Sequence, residues 1–149
     1  MIIELRTNME IINLLDFTDR IELRNWLKAN HNQAKSCWVI TSRSKQPTYE
    51  CIPYIEVVEE ALCFGWIDST IKKLPDGRLA QRLSPRRKRS HWTKLNKERC
   101  MNLEDRGLMT DAGRQAFERA YSYEIVPKDS LMEKIIKKHN MELRPDLYK

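Results

Sequence analysis

Trp66, Asp68, Arg82, Arg86, Ser90 and Thr93 are the polar and aromatic side chains most able to act together, and all fall in one central stretch. A carboxylate beside guanidinium groups, next to hydroxyls at the head of a helix, is chemistry for holding an anion. Unpaired N–H groups and guanidinium forks then point at the same spot. With Arg87, Arg89, Trp92 and Asn96 these residues form a predicted surface for a phosphate, a carboxylate or an acidic protein partner. A purely structural reading competes with it. An ion pair between Asp68 and an arginine, with Ser90 as a helix cap, would pin a hairpin to the next helix, since ion pairs of this kind often specify structure. The residues alone leave both readings open.

Two other chemistries can be weighed on the same stretch. The run Arg86-Arg87-Lys88-Arg89, with Lys94, Lys97 and Arg99, could follow a nucleic-acid backbone while His91 or Trp92 stacks on a base. Against it, a tryptophan at a helix head commonly anchors the core, and no recognised nucleic-acid motif is present. For catalysis, His31, His91 and His139 are widely separated and share no metal-ligand spacing. Ser90 and His91 are adjacent, and adjacent side chains diverge. Gly65, Gly77, Gly107 and Gly113 stand singly, so no glycine-rich loop cradles phosphate. Cys63 lies near a helix C-terminus, where the dipole disfavours a thiolate. Asp68 as a general acid or base toward an anionic substrate is the one enzymatic option left. The reading therefore leans toward a binding protein, with no cofactor or metal expected.

The charge distribution singles out the same region. The net charge is +6, yet Lys72–Arg99 holds 11 Lys and Arg against 2 acids, a local +9, and the remainder is −3. A field of that sign attracts phosphates, nucleic acid, acidic protein faces or anionic lipid.

Positioning these residues requires a scaffold. Thr18 reads as the cap of a first helix carrying Ile21, Leu23, Trp26 and Leu27. Ser36–Thr41 is short, β-branched and aromatic, and predicts a strand. Pro53 suits a first helical position, ahead of Ile55, Val58, Ala61 and Leu62, with Glu56, Glu59 and Glu60 outward and Gly65 closing the helix. Trp66–Lys73 and Arg78–Ser84 then flank Pro75-Asp76-Gly77, the signature of a type I turn with a G1 bulge. Pairing Leu74 with Arg78 puts Ile67, Ser69, Ile71, Leu79, Gln81 and Leu83 on one face. It puts Trp66, Asp68, Thr70, Arg82 and Ser84 on the other. Ser90 is the expected cap of a third helix running to Arg106, Thr110 caps a fourth, and a last helix is expected over about 127–149. The predicted fold is α+β: a short antiparallel sheet centred on a hairpin at about 66–84, packed against four or five helices.

Length and composition fit one domain over 1–149. At 149 residues a chain buries enough surface to fold without disulfides or metal. Cys37, Cys51, Cys63 and Cys100 match neither a redox pair nor a zinc framework, and read as free thiols in a reducing compartment. No apolar run is long enough to cross a bilayer and the N-terminus lacks secretory character, so a soluble, cytoplasmic protein is expected.

Tyr54–Gly113 resembles the YdeI/OmpD-associated family, also called bacteriocin-protection proteins. The residues that carry the likeness are Glu59-Glu60-Ala61-Leu62-Cys63-Phe64-Gly65-Trp66-Ile67-Asp68, Pro85-Arg86, Ser90, Trp92-Thr93, Asn96, and Gly107-Leu108-Met109-Thr110 with Ala112-Gly113. Trp26-Leu27 and Trp38 sit where that family also tends to place tryptophan. Thr93 stands where it tends to have serine, and its members usually run further past Val126-Pro127 than this chain does. The resemblance implies a role in envelope stress or bacteriocin resistance, and no defined reaction.

Overall fold

A computed structural model describes residues 10–87 and 91–123. Among the described residues it holds four helices and an open five-stranded sheet. In chain order these are β1 (Leu14–Leu15), α1 (Arg20–Asn30), β2 (Cys37–Ser42), β3 (Ile52–Pro53), α2 (Tyr54–Cys63), β4 (Trp66–Lys73), β5 (Leu79–Pro85), α3 (Lys94–Asp105) and α4 (Asp111–Tyr123). The helix expected over 127–149 lies outside the described residues.

Local chemistry accounts for most boundaries and corrects several expectations. Asp19, rather than Thr18, caps α1: its carboxylate accepts from the Ile21 N–H at 2.8 Å while Glu22 accepts from the Asp19 N–H. A carboxylate serves the helix head better than a hydroxyl because it also meets the dipole. Pro53 stands one position earlier than expected, as the N-cap of α2. Gly65 follows α2 at φ 73°, the left-handed turn that lets the chain enter β4. The head of α3 is Thr93, whose hydroxyl accepts from the Asn96 N–H at 3.1 Å. His91–Thr93 are not helical, so Ser90 cannot be the cap.

The sheet order is β1-β2-β5-β4, with β3 also on β2. It is mixed rather than antiparallel: β1 and β3 run parallel to β2, whereas β5 runs antiparallel to both β2 and β4. The turn between β4 and β5 closes with the Leu74 N–H on the Arg78 carbonyl and the Gly77 N–H on the Leu74 carbonyl, with Gly77 at φ 92°. Pairing runs in the expected register as far as Ile71 opposite Gln81, then slips by one residue, so that Asp68 faces Leu83 and Trp66 faces Pro85. Ser69 and Thr70 together oppose Arg82, which makes a β-bulge. The Gln81 amide reaches across to the Thr70 carbonyl at 3.3 Å.

That slip overturns the predicted faces. Side chains alternate strictly along a strand, so one extra residue moves everything beyond it to the other side. Asp68 and Trp66 share the face of Leu83, and Arg82 and Ser84 lie on the opposite one.

The main core lies between that first face and the helices. Leu15, Cys37, Val39, Ile52, Trp66 and Leu83 from the sheet meet Leu23, Leu27, Val57, Ala61, Leu62, Cys100, Leu103 and Phe117. A smaller cluster of Trp38, Ile40 and Ala80 occupies the other face, with Ile11, Tyr49, Cys51 and Leu74 beside it. Helices α2 and α4 meet end on. The Cys63 carbonyl, at the end of α2, accepts from the Thr110 N–H at 3.2 Å and from the Thr110 hydroxyl. Gly113 makes the approach feasible, since a Cβ there would lie 2.5 Å from the Cys63 oxygen.

Candidate functional site

Tyr54 begins α2 and Asp68 lies on the helix-facing side of β4, which brings them together: the Tyr54 hydroxyl donates to Asp68 Oδ2 at 2.7 Å. Both side chains are half-buried. Burial, then the hydrogen bond to Asp68 and the Asp68 charge, push the Tyr54 phenol above its ordinary pKa, while Arg43 and Arg99 pull it down. The phenol is therefore a donor at neutral pH and a poor nucleophile.

Arg43 comes from the loop after β2, and its guanidinium carbon sits 4.1 Å from the centre of the Tyr54 ring. This is a cation–π contact at an exposed position. The loop is tied down at its far end. The Tyr49 hydroxyl donates to the Thr41 carbonyl at 2.6 Å and accepts from the Leu79 N–H at 3.1 Å. Arg99, on α3, donates to Asn96 Oδ1 at 3.1 Å and acts on Tyr54 through its charge.

Arg86 lies beneath. It is 7% exposed, its backbone N–H bonds the Gly65 carbonyl at 3.0 Å, and its Nη1 donates to the His91 carbonyl at 3.2 Å. Its guanidinium stacks 3.8 Å from the Trp92 ring centre, and Trp92 in turn packs against Phe117 at 5.2 Å. Burial lowers the Arg86 pKa, and the charges of Cys100 and Asp68 oppose that shift. Arginine keeps its proton under such a load because its intrinsic pKa is so high. Three guanidinium groups from three separate parts of the chain thus act on one carboxylate–phenol pair. Guanidinium forks of this kind can hold an oxyanion.

The predicted site residues separate into groups. Arg86 follows Pro85, the partner of Trp66, so it stands at the same end of the ribbon as Asp68 and feels its charge. Thr93 and Asn96 form the head of α3. Trp66 does not belong to a ligand surface: it is 1% exposed, its ring meets Trp26 edge-on at 6.2 Å, and its N–H donates to the His31 carbonyl. Trp92, at 4% exposed, is likewise a core residue and offers no free face for stacking on a base. Arg82 stands on the other sheet face, opposite Trp38 and apart from Asp68. Arg87 is exposed, and Arg89 and Ser90 lie outside the described residues. Sequence reasoning missed Tyr54 and Arg43, and read Arg99 only as part of a basic run. Tyr54 follows Pro53 at a helix head, which is a findable signal; nothing local marks Arg43.

Other charged groups are structural. Glu60, expected outward, is 1% exposed and accepts from Arg20 Nε and Nη2 at 2.8 and 2.6 Å and from Arg24 Nη1 at 3.0 Å. Glu104 is held the same way by Arg114. Among the described residues no group of three or more His, Cys, Asp and Glu is placed to bind a metal ion, and no helix is long and apolar enough to cross a membrane. All four cysteines are free thiols. A shallow cleft of about 460 Å³, lined by Thr18, Pro47, Tyr49, Glu50 and Cys51, contains none of the residues around Asp68.

A family model described as a domain of unknown function (DUF8412) matches residues 15–116, more than half of the chain. No curated protein and no solved structure matches.

Proposed function

The chain belongs to the DUF8412 family, a domain of unknown function, and from its own residues we propose that it is a non-enzymatic binding protein for a small anionic group, held over Tyr54 and Asp68 by Arg43 and Arg99. The observation that carries this reading is the Tyr54–Asp68 hydrogen bond at 2.7 Å with the Arg43 guanidinium 4.1 Å above the same ring. Arg43 and Arg99 supply the contacts, and buried Arg86 supplies a fixed positive charge behind them. A kinship with the YdeI/OmpD-associated proteins, a cytosolic location and a part in stress or bacteriocin resistance belong to the same proposal. The residue string from Glu59 to Asp68 and Gly107–Gly113 support the kinship and the role it implies, and the four free thiols support the location.

The test is an anion titration followed by NMR at constant ionic strength. Arg43→Ala and Arg99→Ala are each expected to weaken phosphate binding about fivefold or more, the scale of one lost charge-assisted hydrogen bond. A folded Arg43→Ala/Arg99→Ala double variant that binds as the parent does refutes the assignment.

Exposed Arg87 and Lys94 extend the positive surface and favour a second reading, contact with a nucleic-acid backbone. Affinity for a single strand would then fall steeply with added salt. Absence of binding at low salt removes it.

A further inference from the structure

Resting on the anion site just described, we propose that its ligand is an oxyanion that keeps a proton of its own, inorganic phosphate or a phosphate monoester, and that Asp68 is the residue that selects it. Arginines alone take oxyanions by charge and hardly distinguish sulfate, phosphodiester and phosphate. Asp68 changes that. One of its oxygens accepts from Tyr54, and Tyr54 is the only hydrogen-bond donor to Asp68 among the described residues. The carboxylate is half-buried beside Tyr54, whose ring Arg43 covers, and its second oxygen keeps a lone pair for a ligand bound there.

An ionised carboxylate is acceptor-only. It repels the bare oxygens of sulfate or a diester and accepts a hydrogen bond from a ligand that carries P–O–H. At neutral pH inorganic phosphate retains a proton, and a monoester, with a second pKa of about 6, gains one readily next to such an acceptor. Sulfate and diesters have none to offer. The same residue that helps position Tyr54 therefore discriminates against the phosphodiesters of a nucleic-acid backbone.

The experiment compares inorganic phosphate, methyl phosphate, dimethyl phosphate and sulfate by NMR shift titration at pH 7 and fixed ionic strength. The parent protein is expected to bind phosphate about tenfold more tightly than sulfate or dimethyl phosphate, the scale of one hydrogen bond to a charged group. Asp68→Asn, whose amide donates as well as accepts, is expected to bring that ratio to within about twofold by gaining sulfate affinity. Asp68→Ala, which removes the carboxylate without adding a donor, is expected to lose the preference in the same way and covers the case in which Asp68→Asn does not fold. Methyl phosphate bound as well as phosphate identifies a monoester group as the ligand; rejected, it identifies the free ion. Equal affinity of the parent for phosphate and sulfate, or an unchanged ratio in folded Asp68→Asn, overturns the selectivity and leaves the anion site standing. If no anion shifts any site resonance, the anion site and its selectivity fall together.

Discussion

Replacing Gly113 by alanine measures how hard α4 is pressed against the end of α2. The added Cβ would lie 2.5 Å from the Cys63 oxygen, 2.8 Å from the Cys63 carbonyl carbon and 2.4 Å from Met109 Sδ. Met109 can swing its thioether aside. The Cys63 carbonyl cannot, because it is backbone and already accepts from both donors of Thr110. An ordinary carbon–oxygen contact is about 3.3 Å or more, so α4 must retreat by roughly 0.8 Å at this point. That retreat stretches the Thr110 bonds, each contributing about 1 kcal/mol, and loosens Ala116 and Phe117, both buried against the core. Overpacking typically costs about 1–3 kcal/mol. The better helix propensity of alanine returns up to about 1 kcal/mol. The net expectation is a loss of about 2–3 kcal/mol, or roughly 5–10 °C in Tm for a chain of this size. Urea and thermal unfolding followed by circular dichroism provide the measurement. Gly107→Ala is the control: Gly107 sits at φ 72° with nothing within 4 Å of the place a Cβ would take, so only left-handed strain of about 1–2 kcal/mol is at stake. A Gly113→Ala protein as stable as the parent would refute the close-approach argument.

Two further outcomes follow from buried charge. Glu60→Gln leaves Arg20 and Arg24 facing a neutral amide at a position 1% exposed, and should lower stability by about 2 kcal/mol, less than a wholly buried pair because both arginines reach solvent; a loss under about 0.5 kcal/mol in urea unfolding would reduce the network to surface pairing. Burial pushes the thiols of Cys37 and Cys100 up to about 12 and that of Cys63 up to about 11, whereas unfolded cysteine ionises near about 8.5. A raised folded pKa means that the stability is fully present below the unfolded value and is lost as pH climbs toward the folded one. Stability should therefore hold to about pH 8 and then fall by up to about 4 kcal/mol per pH unit between about pH 9 and 11, at about 1.4 per thiol; urea midpoints that stay level from pH 8 to 10 would contradict it.

Much of the fold was legible because its signals are local. The period-3.6 apolar positions of α1 and α2, the β-branched run of β2 and the Pro75-Asp76-Gly77 turn each depend on residues within a few positions of one another. The faces of β4 were not legible, because a bulge at Ser69–Thr70 carries no marker: neither residue is glycine, and the extra count appears only against the partner strand. The site was half legible for the same reason. Asp68 and Arg86 stood out by type and by the charge around them, but Tyr54 reaches Asp68, and Arg43 the Tyr54 ring, only through the topology that lays the loop after β2 beside the start of α2. Trp92 misled because a tryptophan beside a basic run reads as a stacking platform as well as a core anchor, and Trp66 because it lies two residues from Asp68; burial puts both in the core.

The bulge also divides the β4–β5 ribbon into two independently phased halves. Toward the tip, Ile71, Lys72 and Lys73 keep step with Leu79, Ala80 and Gln81; toward the base, Trp66, Ile67 and Asp68 keep step with Leu83, Ser84 and Pro85. Loss of Ser69 or Thr70 would merge the halves into one regular ladder without turning Asp68 over. The carboxylate at the root of the ribbon therefore keeps its bearing whether or not the extra residue is present.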